Sequence, residues 1–66
     1  AAARLVNINT ADEAELATLP GIGKATAGKI VEHREARGGF STIEELMDIS
    51  GIKEAKFNAI KELITV

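Results

Sequence analysis

Leu16 and Leu19 stand three residues apart ahead of Pro20, and Leu46 and Ile49 repeat that spacing ahead of Ser50. Apolar residues so spaced share one side of a helix, so each pair predicts a short helix with a single apolar edge. Pro20 then ends the first, because proline lacks a backbone donor and clashes with the turn before it. Beyond that break, Ala27, Ile30 and Val31 fall on one face with the stem of Arg34, while Lys29, His33 and Arg37 form a separate stripe. The pattern predicts a longer amphipathic helix, closed by Gly38-Gly39. Phe40 and Ile43 resume the apolar positions, and Phe57, Ile60 and Ile64 predict a last helix. Val6-Asn7-Ile8-Asn9 is too short for an independent strand and reads as extended or irregular chain. Its asparagines suit a turn or cap before the first helix.

Shifted on itself by 30 positions, the sequence superposes Leu16 on Leu46, Leu19 on Ile49, Gly21 on Gly51, Ile22 on Ile52, Ala25 on Ala55 and Ile30 on Ile60. The chain is a duplicated helical hairpin, and neither copy can bury its apolar face alone. Thr10-Ala11-Asp12-Glu13 and Ser41-Thr42-Ile43-Glu44 both have the spacing of a capping box and predict where the two first helices start. The expected fold class is all-α, with four main helices in two pseudo-symmetric hairpins. These close around Leu16, Leu19, Ile22, Ile30, Phe40, Leu46, Ile49, Ile52, Phe57 and Ile60, and Met47 is also assigned to the core. A flexible tail is expected over 1–5 and one domain over 6–66. Its first unit runs from about 10 to 37, its linker over 38–40, and its second unit from about 41 to 64. Gly28 inside a helix costs ~1 kcal/mol against alanine, which points either to close packing by a neighbouring helix or to neutral drift.

A chain of 66 residues has room for one small core and for no large pocket. Without cysteine, and with His33 alone, it offers neither a disulfide nor a thiolate or imidazole metal site. Its apolar runs fall far short of the ~20 residues of a membrane helix, so it reads as soluble, with no membrane segment. Ala1-Ala2-Ala3 reads as a frayed end, with a processed signal or a cloning remnant as the alternatives. The net charge of −2 argues against a nucleic-acid partner until its distribution is considered. Asp12, Glu13 and Glu15, and again Glu44, Glu45 and Asp48, precede the turns, whereas Lys24, Lys29, Lys53 and Lys56 follow them. Acids at helix starts face the positive end of the helix dipole, which accounts for them without a catalytic carboxylate pair. His33 has no second ligand or nucleophile at readable spacing and reads as a solvated histidine. No enzyme is expected.

The informative motif is Leu19-Pro20-Gly21-Ile22-Gly23-Lys24. Glycine takes positive φ and leaves no side chain between backbone and ligand. A turn there that opens a helix aims unpaired N–H groups outward at the positive end of the dipole, a setting that binds phosphate oxygen. Ile22 points the other way, into the core, while Lys24 and Lys29 add charge. A dinucleotide fingerprint would need a preceding strand, and a plain hairpin turn with no ligand is the alternative. A β-branched residue at Gly21 or Gly23 is expected to damage both turn and binding. In the second copy, Gly51-Ile52-Lys53-Glu54, lysine replaces the second glycine. Either Lys53 tolerates a glycine geometry or the turn has changed; Glu54 repels phosphate, and Lys53 and Lys56 compensate. The first hairpin is therefore expected to make the main contact, and the second a weaker contact or a core-forming partner.

Asn7-Ile8-Asn9-Thr10-Ala11, Leu19-Pro20-Gly21-Ile22-Gly23 and Gly51-Ile52 together resemble the C-terminal domain of ComEA-type competence proteins. The resemblance implies a tandem helix-hairpin-helix fold that binds double-stranded DNA across the minor groove, without sequence preference, through hairpin backbone amides. The contacts it implies, joined with the reading above, are Pro20, Gly21, Ile22, Gly23, Lys24 and Lys29 in the first unit and Gly51, Ile52, Lys53 and Lys56 in the second. It further implies a role in DNA uptake in the periplasm or at the cell surface; a monomer with no small-molecule substrate is expected. No cofactor is implied beyond a monovalent cation at a hairpin turn, as in some relatives. Two rivals remain at this stage. A protein-interaction or scaffolding module of a repair or recombination complex would need an exposed apolar patch of several hundred Å². A glycosylase or nuclease fragment would need catalytic acids over a pocket.

Overall fold

The structure, a computed structural model, describes residues 5–66, so the expected tail lies outside the described residues except for Leu5. The elements in chain order are β1 (Val6–Asn7), α1 (Glu13–Leu16), α2 (Lys24–Arg37), a 3₁₀ helix (Ile43–Asp48), α3 (Glu54–Ile60) and β2 (Ile64–Thr65). The all-α expectation holds in its essentials: four helices in two hairpins, with one two-residue strand pair as the only addition among the described residues.

Both helix starts differ from the capping boxes that the spacing predicted. The amides of Thr10 and Ala11 both donate to the Asn7 carbonyl, at 3.1 and 2.8 Å, so the chain is still turning where the first helix was expected to begin. Asp12 caps α1 instead, its Oδ1 accepting the Glu15 amide at 2.9 Å. In the second unit Thr42 is the N-cap and makes no side-chain hydrogen bond, while the amide of Ser41 before it donates to Glu45 Oε2 at 3.2 Å. The helix that follows is 3₁₀, and its period of three puts Ile43, Leu46 and Ile49 in one row on the core. Met47 comes one position after Leu46 and is turned out, 37% exposed, so its assignment to the core is corrected.

Apart from Met47, the residues expected in the core, ten in number, are all buried. They form five pairs related by the 30-residue shift once Ala27, the mate of Phe57, is added and Phe40 is set aside. Ala27 had been placed on the apolar face but not in the core. Ile8, Ala11 and Ile64 complete the cluster. Together with Phe40 they lie outside the repeat pairs, in the opening segment, the linker and the closing strand.

Ile64 reaches the core from a strand, not from the last helix, which ends at Ile60. Its spacing from Phe57 and Ile60 imitates a helix, yet its backbone pairs in parallel with the other end of the chain, Val6 with Ile64 and Asn7 with Thr65. The Val6 amide donates to the Leu63 carbonyl and the Ile8 amide to the Thr65 carbonyl, both at 2.8 Å. The opening stretch is extended as expected, and it finds its partner some 58 positions away in the register. From there it contacts both hairpins. Arg34 Nη1 reaches from α2 to the carbonyls of Ile8, at 3.0 Å, and Ala11, at 2.7 Å.

Two smaller expectations meet the packing differently. A Cβ at Gly28 would meet only the end of the exposed Glu13 side chain, Oε2 at 3.4 Å and the carboxyl carbon at 3.7 Å, which is ordinary contact, so no backbone or core atom of a neighbouring helix requires the glycine. His33 is not simply solvated: its ring stacks on Phe40, centroids 5.4 Å apart and planes 4° from parallel, and its Nδ1 is buried without a partner.

Arg34→Met keeps the aliphatic stem and strips two part-buried carbonyls of a charged donor. It should lower unfolding stability by about 2 kcal/mol, read from the urea midpoint. An unchanged midpoint would mean that water serves both carbonyls equally well.

Candidate functional site

The two turns have the same backbone. In the first, the Leu19 amide donates to the Leu16 carbonyl and the Ile22 amide to Leu19, each at 3.1 Å; in the second, Ile49 donates to Leu46 and Ile52 to Ile49, each at 3.0 Å. Gly21 and Gly51 hold the third position of these turns with φ of 77° and 98°, a conformation that type II turns reserve for glycine. Pro20 precedes Gly21, where its fixed φ suits the second position of such a turn.

The second glycine of the motif has a different role. Gly23 is extended, φ −90° and ψ −178°, as is Lys53 at φ −105° and ψ −175°. Any residue adopts that backbone, so Lys53 needs no glycine geometry and the second turn has not changed. A Cβ on Gly23 would meet nothing within 4 Å. The expectation that substitution at Gly23 would damage the turn is thereby corrected, and only Gly21 is required by the backbone. What Gly23 does is leave the surface bare.

Gly23 and Lys53 each sit at the N-cap of the following helix, and neither cap makes a side-chain hydrogen bond. The first amides of α2 and α3, which have no carbonyl one turn back, are thus left open at the positive ends of the helix dipoles. Ile22 and Ile52 are buried, so they hold the turns to the core and offer a ligand only their backbone. Pro20, Gly21, Gly23, Lys24, Lys29, Gly51, Lys53 and Lys56 are exposed, and so is Glu54 at the start of α3.

The structure adds one relation that sequence spacing did not reveal. Lys56 of α3 lies along the first turn, its Cγ, Cδ and Cε 3.8 to 3.9 Å from where a Gly21 Cβ would stand. Conversely, Lys29 of α2 extends to the second turn, its Nζ 3.5 Å from the Ser50 carbonyl. Each turn is therefore flanked by a lysine of the other unit, and the sites form one surface. Lys29 and Lys56 are not equivalent in the repeat, so no comparison of the two copies could have found this.

Elsewhere, an open cleft beside the second turn is lined by Lys29, Glu32, His33 and Asp48, among others, with mixed charge. Among the described residues no three His, Asp or Glu side chains converge as metal ligands. Leu5, Leu63 and Val66 are exposed beside the strand pair, apolar surface that the spacing had not anticipated.

The profile of a family described as the helix-hairpin-helix motif matches residues 1–65. ComE operon protein 1 of Bacillus subtilis (strain 168) is 48% identical over 62 residues, 94% of this chain and 30% of that protein. Endonuclease/exonuclease/phosphatase family domain-containing protein 1 of Homo sapiens is 49% identical over 61 residues, 92% of this chain and 11% of that protein. A Haemophilus influenzae protein described as uncharacterized is 38% identical over 60 residues, 89% of this chain and 54% of its own length. The chain thus spans from about a tenth to about half of these relatives.

The same substitution at the two glycines of the first turn separates their roles. Gly21→Ser places a side chain at φ 77° and should cost more than about 1 kcal/mol. Gly23→Ser, which supplies a capping hydroxyl in open space, should leave stability within about 0.5 kcal/mol of the parent or raise it. Urea midpoints of the two variants test this, and equal losses would contradict the assignment.

Proposed function

This chain belongs to the helix-hairpin-helix family, and from that premise we propose that the surface shared by its two turns binds double-stranded DNA by the sugar-phosphate backbone, without sequence preference. The observation that carries the reading is the exchange of lysines, Lys56 beside Gly21 and Lys29 beside Ser50. It joins two open helix starts into one cationic surface on a protein whose net charge is −2.

The parts divide by chemistry. Backbone amides at the starts of α2 and α3 meet phosphate oxygens, as helix N-termini do for anions. Pro20, Gly21 and Gly51 shape the turns, Gly23 admits close approach, and Ile22 and Ile52 anchor the turns from below. Lys24, Lys29, Lys53 and Lys56 supply the cations that displace counterions from the duplex. Because the second turn keeps the backbone of the first, it takes part in the contact as well, with the Lys53 side chain standing where the first turn is bare. Glu54 weakens that half without abolishing it.

Contacts to phosphate carry no base identity, so the affinity is indifferent to sequence. The module holds DNA and performs no reaction on it. Its setting is DNA uptake at the cell surface or in the periplasm, as part of a longer protein. Support for that setting is the competence-type motif Asn7-Ile8-Asn9-Thr10-Ala11 and the likeness to ComE operon protein 1.

An NMR titration with a short duplex at low salt tests the reading. Shifts should centre on the amides of Gly21 to Thr26 and Gly51 to Lys56, match for a duplex of scrambled sequence, and reverse with salt. The slope of log K against log salt should be about −2 to −4, for ~2–4 phosphates neutralised. The Lys24→Ala, Lys29→Ala double variant should bind more weakly and flatten that slope by about 2. Gly23→Ser should fold yet bind less well, because its hydroxyl takes an amide that phosphate would use. Unchanged affinity in the folded double variant would remove the first turn from the site. Absence of any shift would transfer the argument to a protein partner at the exposed Leu5, Leu63 and Val66.

A further inference from the structure

We propose that Asn9 is the positioning residue that sets the angle between the two hairpins, so that their turns act as one grip rather than two. The functional half of this proposal rests on the DNA-binding reading above; the structural half does not.

The geometry is specific. Asn9 Oδ1 accepts the Phe40 amide at 2.6 Å, and Asn9 Nδ2 donates to the Phe40 carbonyl at 2.9 Å. A side-chain amide thereby stands in for a neighbouring strand, taking both polar groups of one backbone residue 31 positions away. Asn9 is itself seated by its own amide, which donates to Asn7 Oδ1 at 2.8 Å. The linker makes room on its side: a Cβ at Gly39 would stand 3.1 Å from Asn9 Oδ1, and Gly39 has φ 116°.

The residue clamped is the one that decides how the second unit leaves the first. Gly38 and Gly39 both have positive φ and turn the chain out of α2, and Phe40 is the last residue of that linker. Burial of Phe40 and of the repeat pairs holds the units together, but burial is non-directional and tolerates rotation. Hydrogen bonds depend on direction and distance. The segment that carries Asn9 is also tied to α2 through Arg34 and to β2 through Ile8, so it spans both units and is able to fix one against the other. Two turns held at the right span bind one duplex as an intramolecular second step, and a misaligned pair loses that advantage.

The test uses Asn9→Leu, close in volume and without either bond, and Asn9→Asp, which retains the acceptor for the Phe40 amide and loses the donor. The chain has no cysteine, so spin labels at Glu35→Cys on α2 and Ala59→Cys on α3, both exposed, report the distance between the units. Working at a temperature where circular dichroism shows each variant folded, the clamp requires a broadened distance distribution, widest in Asn9→Leu. Duplex affinity should fall by about tenfold and the salt slope should drop toward half, while amides of each turn still shift on titration. A sharp, parent-like distribution with an unchanged salt slope, accompanied only by a lower melting temperature, overturns the proposal and leaves Asn9 a purely stabilising residue. If Asn9→Leu does not fold, the milder Asn9→Asp decides by the same readings. If the parent fails to bind duplex at all, the DNA reading is lost, and the distance distribution still decides whether Asn9 orients the hairpins.

Discussion

Everything in this molecule follows from one constraint: neither hairpin has enough apolar surface to fold by itself, so each completes the other. Leu16, Leu19, Ile22, Ala27 and Ile30 from one unit, and Leu46, Ile49, Ile52, Phe57 and Ile60 from the other, lie in a single buried cluster. Burying a side chain of the Leu or Ile kind is worth about 1.5–3 kcal/mol, and a 66-residue chain has few such contributions to spend on anything else. The isoleucine at the centre of each turn belongs to this set. The turns are therefore held from beneath by the same residues that hold the molecule together, which leaves their upper surface bare of apolar side chains and open to a ligand.

That coupling explains what a reader of the sequence is able to see. Eight of the ten expected core residues were visible because the repeat states them twice, Phe40 and Phe57 because large aromatic side chains in a small domain have little other use than core, and the two turns because glycine after a break has few other uses. The missed features all depend on partners distant along the chain or on a choice between similar local geometries. Ile64 carries helical spacing but takes a strand because Val6 and Asn7 are there to pair with it. Met47 looks like core under a period of 3.6 and turns outward under a period of three. Thr10 and Glu13 have the spacing of a cap, but the carbonyl of Asn7 engages the Thr10 amide first. In the site itself, the residues were legible and their mutual arrangement was not, since Lys29 and Lys56 occupy unrelated places in the repeat.

The two units also show how a duplicated element diverges without losing its frame. Ala27 in one faces the place of Phe57 in the other, and Arg34 stands where Ile64 does. In the first unit the helix runs on and the arginine turns toward the carbonyls of the opening segment. In the second the helix stops and the isoleucine enters the core from a strand. At the turns the loss of the second glycine falls on a position whose backbone is extended, Gly23 against Lys53, so that exchange alters what the surface presents and leaves the fold alone. The acids gather ahead of the turns and the lysines Lys24, Lys29, Lys53 and Lys56 beyond them, so a chain with a net charge of −2 keeps its cations together on the far side of the turns.

The short strand pair has a mechanical consequence. Its strands run in the same direction, so tension applied across the two ends of the chain drags them lengthwise past each other. The bonds from Val6 to Leu63 and from Ile8 to Thr65 then carry the load simultaneously, in shear, whereas a pair peeled from one end would release them one after another. Resistance to pulling is a matter of unfolding rate, and a shear clasp at the point where force enters slows the first step. A chain pulled by its two ends meets that strain with those ends already fastened together.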